Sequence, residues 1–262
     1  HNADFCFMGA PLMKGDELET DANGAPVFKL WFLPRDQFEI VRTWDVAGLR
    51  GSGSDDVKAD GAVVPAKYAG IDLWSVPAHY PNPVYRMPTA LRLAYNKAAI
   101  AIGVAKGSLE VFADIAKNKI PMLTSASLAN RGIAQYRMGV AEATYRASRA
   151  WLMESMSAVE DELTGNSDLP GAKTTQDARL ACTHAANECM KVVDLLHNTA
   201  GTTGMRTFSP LERKLRDSHG AATHRWVAHP LYEDLGKILL GIEAGPEFAG
   251  GTGVPIGPPG PK

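Results

Sequence analysis

The chain has 262 residues, 45% of them apolar, and its 27 basic and 29 acidic residues give a net charge of −2 at pH 7. That is apolar material for one large or two modest domains, and charges mixed without long blocks leave no electrostatic footprint for nucleic acid or an anionic membrane. No run approaches the roughly 18 apolar residues of a membrane span and no signal core opens the sequence; with Cys6, Cys182 and Cys189 spaced for neither CxxC nor an internal pairing of all three, a cytoplasmic protein with reduced core cysteines is expected.

Residues 4 to 68 carry short apolar and β-branched runs, DFCFMGAPL, VFKLWFLP, FEIVRTW and AVVPAKY, separated by Gly, Pro, Asp and Asn, the pattern of four to six strands. Asp21 to Gly24, DANG, predicts a hairpin turn, since Asn-Gly supplies positive φ at low steric cost. Proline-rich residues 69 to 88, with Trp74, Tyr80 and Tyr85, predict an extended connector. The expected division is a partial β domain with its connector over 1–86, a helical bundle over 87–245 and a Gly/Pro tail over 246–262.

Four helices are predicted beyond the connector. The first starts at Pro88 and runs to about Lys119, with Gly103 and Gly107 expected at a close helix contact. The second, from about Ala129 to Leu163, aligns Ile133, Tyr136, Val140, Ala143, Ala147, Ala150 and Trp151 on one stripe. The third follows the Pro170-Gly171 break, with Thr174 and Asp177 as a capping box, and ends near Thr199. The fourth opens on SPLE, with Ser209 as N-cap, Pro210 as first helical residue and Glu212 as reciprocal capping group. Together these elements predict an α+β chain, a β domain followed by a four-helix bundle.

TWDVAGLRGSGSDD, residues Thr43 to Asp56, lacks the GxxxxGK[ST] spacing of a phosphate loop and leads into VKADGAVVP, which predicts strand rather than helix. On residues alone it is a glycine-rich turn between strands. His184 and Glu188 lie one turn apart, and His219 and His224 five residues apart, but no third ligand follows at metal-site spacing, so no metal is expected. There is no GxSxG and no nucleophilic cysteine signature. On the fourth helix Arg213 and Asp217 form an i, i+4 pair. Asp217 and His224, seven apart, would project to one face, where a histidine can hold or take a proton near neutral pH.

LHNTAGTTGMRTFSPLERKLRD, residues Leu196 to Asp217, resembles the stretch of acyl-CoA dehydrogenases that passes from a helix through a glycine turn into a Pro-initiated helix ending in Arg-Asp. Trp44 with GLRGSGSDD resembles the same superfamily's middle β domain, in the form found in its reduced-flavin-dependent monooxygenases. The resemblance spans Asn2 to about Gly241 and implies part of a β-barrel or sandwich followed by an antiparallel four-helix bundle, with an N-terminal helical domain preceding this stretch. It implies the oxygenase component of a two-component system: reduced FAD or FMN from a partner flavin reductase, O2, a small aromatic or heteroatom substrate, and a homotetramer.

Carried over residue by residue, the resemblance implies that Gly201, Thr202 and Thr203 form the turn that meets the flavin, often across a subunit interface. Trp44, Arg50, Ser52 and Asp217 belong to the two motifs that surround it. Lys117 or Lys119 stands in place of an arginine, keeping the charge without its bidentate fork. Dehydrogenases often carry a catalytic Glu after the Arg-Asp helix; here SHGAATHRWV puts His224 in that region, as the monooxygenases do, which implies a catalytic histidine. The alternatives are an acyl-CoA dehydrogenase that desaturates an acyl-CoA with FAD, and a flavin-free bundle kept for assembly or partner binding.

Overall fold

The computed structural model describes residues 3–22, 24, 26–70, 79–80, 82–165 and 169–242. Trp74 of the connector and the Gly/Pro tail lie outside these. The described residues form two compact units: one from those up to Asp45 with 50–70 and 79–80, the other from Val46–Leu49 with those from 82 to 242.

The first unit contains three antiparallel strand pairs. β1 (Phe5–Pro11) pairs with β4 (Phe28–Pro34), β2 (Met13–Lys14) with β3 (Glu17–Leu18), and β5 (Glu39–Val41) with β6 (Asp56–Lys58). Along β1, residues alternate between exposed and half-buried, the period-two pattern that the sequence carries. The turn at DANG is present: Gly24 has φ +79° and its N–H donates to the Asp21 carbonyl at 3.0 Å, while Asn23 is outside the described residues.

The second unit is helical: α1 (Pro83–Arg86), α2 (Thr89–Asn118), α3 (Gly132–Thr164), α4 (Ala172–Ala200), α5 (Pro210–Ala222) and α6 (Leu231–Leu239). α4 packs on α2, α3, α5 and α6. Its buried face is built from small residues, among them Ala178, Ala181, Cys182, Ala185, Ala186 and Cys189, and α2 answers with Ala94, Ala98, Ala101 and Ala105; short side chains at i, i+3 and i+4 spacing let the backbones approach. Cys182 and Cys189 are free thiols in this core, both pushed up to about 12 chiefly by burial. No helix among the described residues is long and apolar enough to cross a membrane.

Several helical expectations need correction. The buried stripe of α3 is Ala134, Ala141, Ser148, Leu152, Ser155, Val159 and Leu163, whereas Ile133, Tyr136 and Val140 are 49%, 69% and 40% exposed. Small residues carry the packing in the first half of this helix, and the larger ones face away. α4 begins two residues before Thr174, with Gly171 as N-cap. Glu162 of α3 accepts from the Gly171 N–H at 2.6 Å and from the Thr174 hydroxyl at 2.5 Å, and Asp177 pairs with Lys173, so no capping box forms. Ser209 does cap α5, accepting from the Leu211 N–H at 3.3 Å, but Glu212 binds Arg216 instead of reaching back. Gly107 meets Lys214 of α5, as expected of a helix contact, whereas Gly103 faces open space. α5 ends at Ala222, so His224 is not on it, and α6 follows as a further helix.

Candidate functional site

The glycine-rich stretch divides at Leu49. Its first part, Val46–Leu49, lies against α5 within the helical unit. A Cβ on Gly48 would stand 2.0 Å from the Arg216 carbonyl oxygen and 2.5 Å from its carbon, so only glycine fits this close approach of two backbones. The Leu49 N–H donates to Asp217 Oδ1 at 2.7 Å, and the Arg216 guanidinium donates to the Ala47 carbonyl while holding Glu212 at 2.6 and 2.8 Å. Leu49 sits at φ +55°, and its side chain fills the space that a Cβ on Gly220 would take, 3.1 Å away. The ion pair of α5 is therefore Arg216–Glu212 rather than Arg213–Asp217. Asp217 latches the loop through Oδ1 of its carboxylate.

The remaining part belongs to the strand unit. Asp55 gathers the segment that precedes it: its Oδ1 accepts from the Thr43 and Trp44 N–H groups at 3.0 and 2.9 Å, and the Trp44 bond is the main reason its carboxyl titrates below the usual range. Arg50–Ser52 form a single 3-10 turn with both side chains exposed, and Trp44 is half-buried. Ser52 and Ser54 hydroxyls lie 3.3 Å apart.

The turn at Gly201–Thr203 follows the last carbonyls of α4. Gly201 has φ +58° and ψ −142°, outside the αL region and open to glycine for want of a Cβ. Lys119 donates its ammonium to the Ala200 carbonyl at 2.6 Å, placing a cation where the helix dipole is negative. Thr202 is exposed, Thr203 half-buried, and Arg137 donates to the Thr199 hydroxyl at 3.4 Å. Lys117, two residues before Lys119, is exposed. Lys119 and Arg137 bring cations to this corner, donors that suit an anionic group such as a flavin phosphate.

His224 lies in the turn after α5. The Trp226 N–H donates to its Nδ1 at 3.3 Å. A backbone amide can only donate, so the neutral ring carries its proton on Nε2. Burial, and then Lys97 of α2, lower its pKa below the ordinary 6.5. At neutral pH this histidine is an uncharged hydrogen-bond donor through Nε2–H. Lys97 and Trp226 were not marked in the sequence; nothing in their spacing connects them to His224.

These residues do not form one cluster in a single chain. Gly201–Thr203 precede α5 and His224 follows it, and a helix of 13 residues spans roughly 20 Å. Among the described residues no group of three His, Cys, Asp or Glu could hold a metal ion.

Comparison with known proteins bears on this arrangement. A family model described as acyl-CoA dehydrogenase, C-terminal domain, matches residues 95–229. The chain is 28% identical over 246 residues to the indole-3-acetate monooxygenase of Acinetobacter baumannii, covering 94% of this chain and 61% of that protein. It is 25% identical over 233 residues to the flavin-dependent monooxygenase oxygenase subunit HsaA of Rhodococcus jostii, covering 85% of this chain and 58% of that one. Among solved structures, 3-HSA hydroxylase from Rhodococcus sp. RHA1 superposes with a TM-score of 0.79 at 22% identity, covering 94% of this chain and 63% of that chain. The chain thus spans about three fifths of the length of the curated relatives it matches.

Proposed function

This chain belongs to the acyl-CoA dehydrogenase C-terminal domain family, and from that premise we propose that it is part of the oxygenase component of a two-component flavin-dependent monooxygenase. Reduced FAD or FMN, delivered by a separate flavin reductase, would supply O2 activation, and the substrate would be a small aromatic or heteroatom compound. The observation that carries this reading is the residue after the Arg-Asp helix. A dehydrogenase needs a carboxylate to take an α-proton, and by the resemblance many carry it there. The carboxylates that follow Asp217 in the described residues are Glu233 and Asp234, and both are paired with Lys237, at 2.8 and 3.3 Å; that pairing holds Glu233 below the usual carboxylate range. His224 is the titratable group offered instead, as it is in the resemblance to the monooxygenases.

In this reading Nε2–H of His224 donates to the substrate or to the oxygen being transferred, and burial, aided by Lys97, keeps the ring neutral. The turn Gly201–Thr203, with Lys117 and Lys119, holds the flavin phosphate end; Trp44, Arg50 and Ser52 of the strand unit are flavin-binding residues by the resemblance alone. The strand pairs belong to a barrel or sandwich middle domain, and α2 to α5 form an antiparallel four-helix bundle in a cytoplasmic protein. Because the turn and His224 stand at opposite ends of α5, the site would draw the turn from one copy and the histidine from another. Such self-association, proposed as a homotetramer, would cover apolar side chains that one copy leaves open, among them Met122, Leu123 and Phe208, which are 89%, 98% and 77% exposed.

Anaerobic titration tests this. The chain is expected to bind reduced FMN or FAD more tightly than the oxidised form and to ignore butyryl-CoA. Tight oxidised FAD that is bleached by butyryl-CoA would show a dehydrogenase instead.

A further inference from the structure

Asn187 and Arg179 are buried polar side chains of α4, 4% and 1% exposed, that the site above does not use. Burying an amide costs on the order of 1–3 kcal/mol unless it is bonded, so an asparagine in an alanine-rich helix interface calls for a partner. Asn187 has two. Its amide nitrogen donates to the Thr183 carbonyl one turn back at 2.8 Å and to the Val227 carbonyl at 3.0 Å.

The second bond leaves α4 for the turn that carries His224. The Val227 N–H donates to the His224 carbonyl at 2.9 Å, and the Trp226 N–H donates to the His224 ring at 3.3 Å. Arg179 donates to the Ala90 carbonyl at 2.7 Å and places its guanidinium 5.4 Å from the Trp226 ring centroid. A chain of contacts therefore runs from the interior of α4 to the imidazole: amide to Val227, Val227 to the His224 backbone, Trp226 to the His224 ring. Among the described residues, Lys97 of α2, Arg225 within the turn and Arg179 of α4 bring cations to it.

We infer that Asn187 is a positioning residue: by holding the Val227 carbonyl it keeps the His224–Val227 turn closed, so that Nδ1 stays on the Trp226 N–H and Nε2–H is the face presented outward. The inference rests on the proposed role of His224, but its geometry can be tested apart from activity. In the chain labelled with 15N-histidine, long-range 1H–15N spectra report the tautomer and the titration midpoint of each ring. In the unsubstituted protein His224 is expected as the Nε2–H tautomer with a midpoint below 6.5.

Asn187→Leu, which keeps the volume and removes the donor, is expected to mix the two tautomers, raise the midpoint toward 6.5 and speed exchange of the Trp226 amide at least tenfold. If the leucine variant does not fold, Asn187→Ser is read for the same three signatures, which a partial hydroxyl donor should show in weaker form. A proton on Nδ1 in the unsubstituted protein overturns the inference without any variant. So does a folded variant whose His224 tautomer and midpoint are unchanged, even if its activity is lost. Failure of the unsubstituted protein to transfer oxygen would instead remove the monooxygenase reading and leave the ring spectra to decide the brace.

Discussion

Replacing Gly48 by alanine tests how the glycine-rich segment is built. The added Cβ would lie 2.0 Å from the Arg216 carbonyl oxygen and 2.5 Å from its carbon, and both are backbone atoms of a helix, so neither can rotate aside. The chain must either displace α5, at the usual 1–3 kcal/mol of overpacking, or lift the loop. Lifting it breaks the bond from the Leu49 N–H to Asp217 and the one from Arg216 to Ala47; hydrogen bonds to charged groups are worth about 1.5–3 kcal/mol each. The cheaper route sets the loss, about 1–3 kcal/mol. Native-state amide exchange at Leu49 reads it locally: at about 1.4 kcal/mol per tenfold, exchange should accelerate roughly 5-fold to about 140-fold. Gly51→Ala is the control, since a Cβ there meets open space and should cost less than about 0.5 kcal/mol. If Leu49 exchanges no faster in Gly48→Ala than in Gly51→Ala, the docking account is wrong.

Further expectations concern the site and the core. Because the folded pKa of His224 is lowered, its neutral form is favoured in the native state; its contribution to stability is present above about pH 6.5 and is lost as pH falls through the lower folded value. His224→Ala should flatten that acid limb in pH-dependent denaturation and reduce hydroxylation by about a hundredfold or more, whereas equal losses of activity and stability would mark it as merely structural. Lys119→Met removes the ammonium from the Ala200 carbonyl and should weaken reduced-flavin binding while lowering stability by about 1 kcal/mol; unchanged affinity in a binding assay would move the phosphate site elsewhere. Cys182 and Cys189, buried with thiols near 12, should resist an aromatic disulfide reagent until denaturant is added, leaving the half-buried Cys6 to react first.

The helices that carry local signals were legible in the sequence. Ser209-Pro210 marks a real helix start because capping chemistry acts within a few residues, and Pro170-Gly171 marks one as a chain break, without a side-chain cap. Where packing decides, the pattern misleads: Ala134, Ala141 and Ser148 are buried, while Ile133 and Tyr136, and with them Ala143, Ala147 and Ala150 of the same expected stripe, are exposed, since residues of either size occur on both faces of this helix and hydrophobicity does not mark the packed one. The end of α5 at Ala222 has no proline or asparagine to announce it, so His224 was read as helical. Asp217 could not be assigned from spacing at all, because its partner Leu49 lies 168 positions away. The glycines of GLRGSGSDD divide for the same reason: Gly48 answers to α5, and Gly51 faces open space.

The central claim is that this chain belongs to a protein that transfers one atom of O2 to an aromatic or heteroatom substrate. The direct measurement is mass spectrometry of products formed under 18O2, with the protein, a generic flavin reductase, NADH, reduced FMN or FAD, and a panel of indole and phenol substrates. One 18O atom per product, lost in His224→Ala, is the predicted result. Unlabelled product, or no product alongside desaturation of an acyl-CoA in the same preparation, would contradict it.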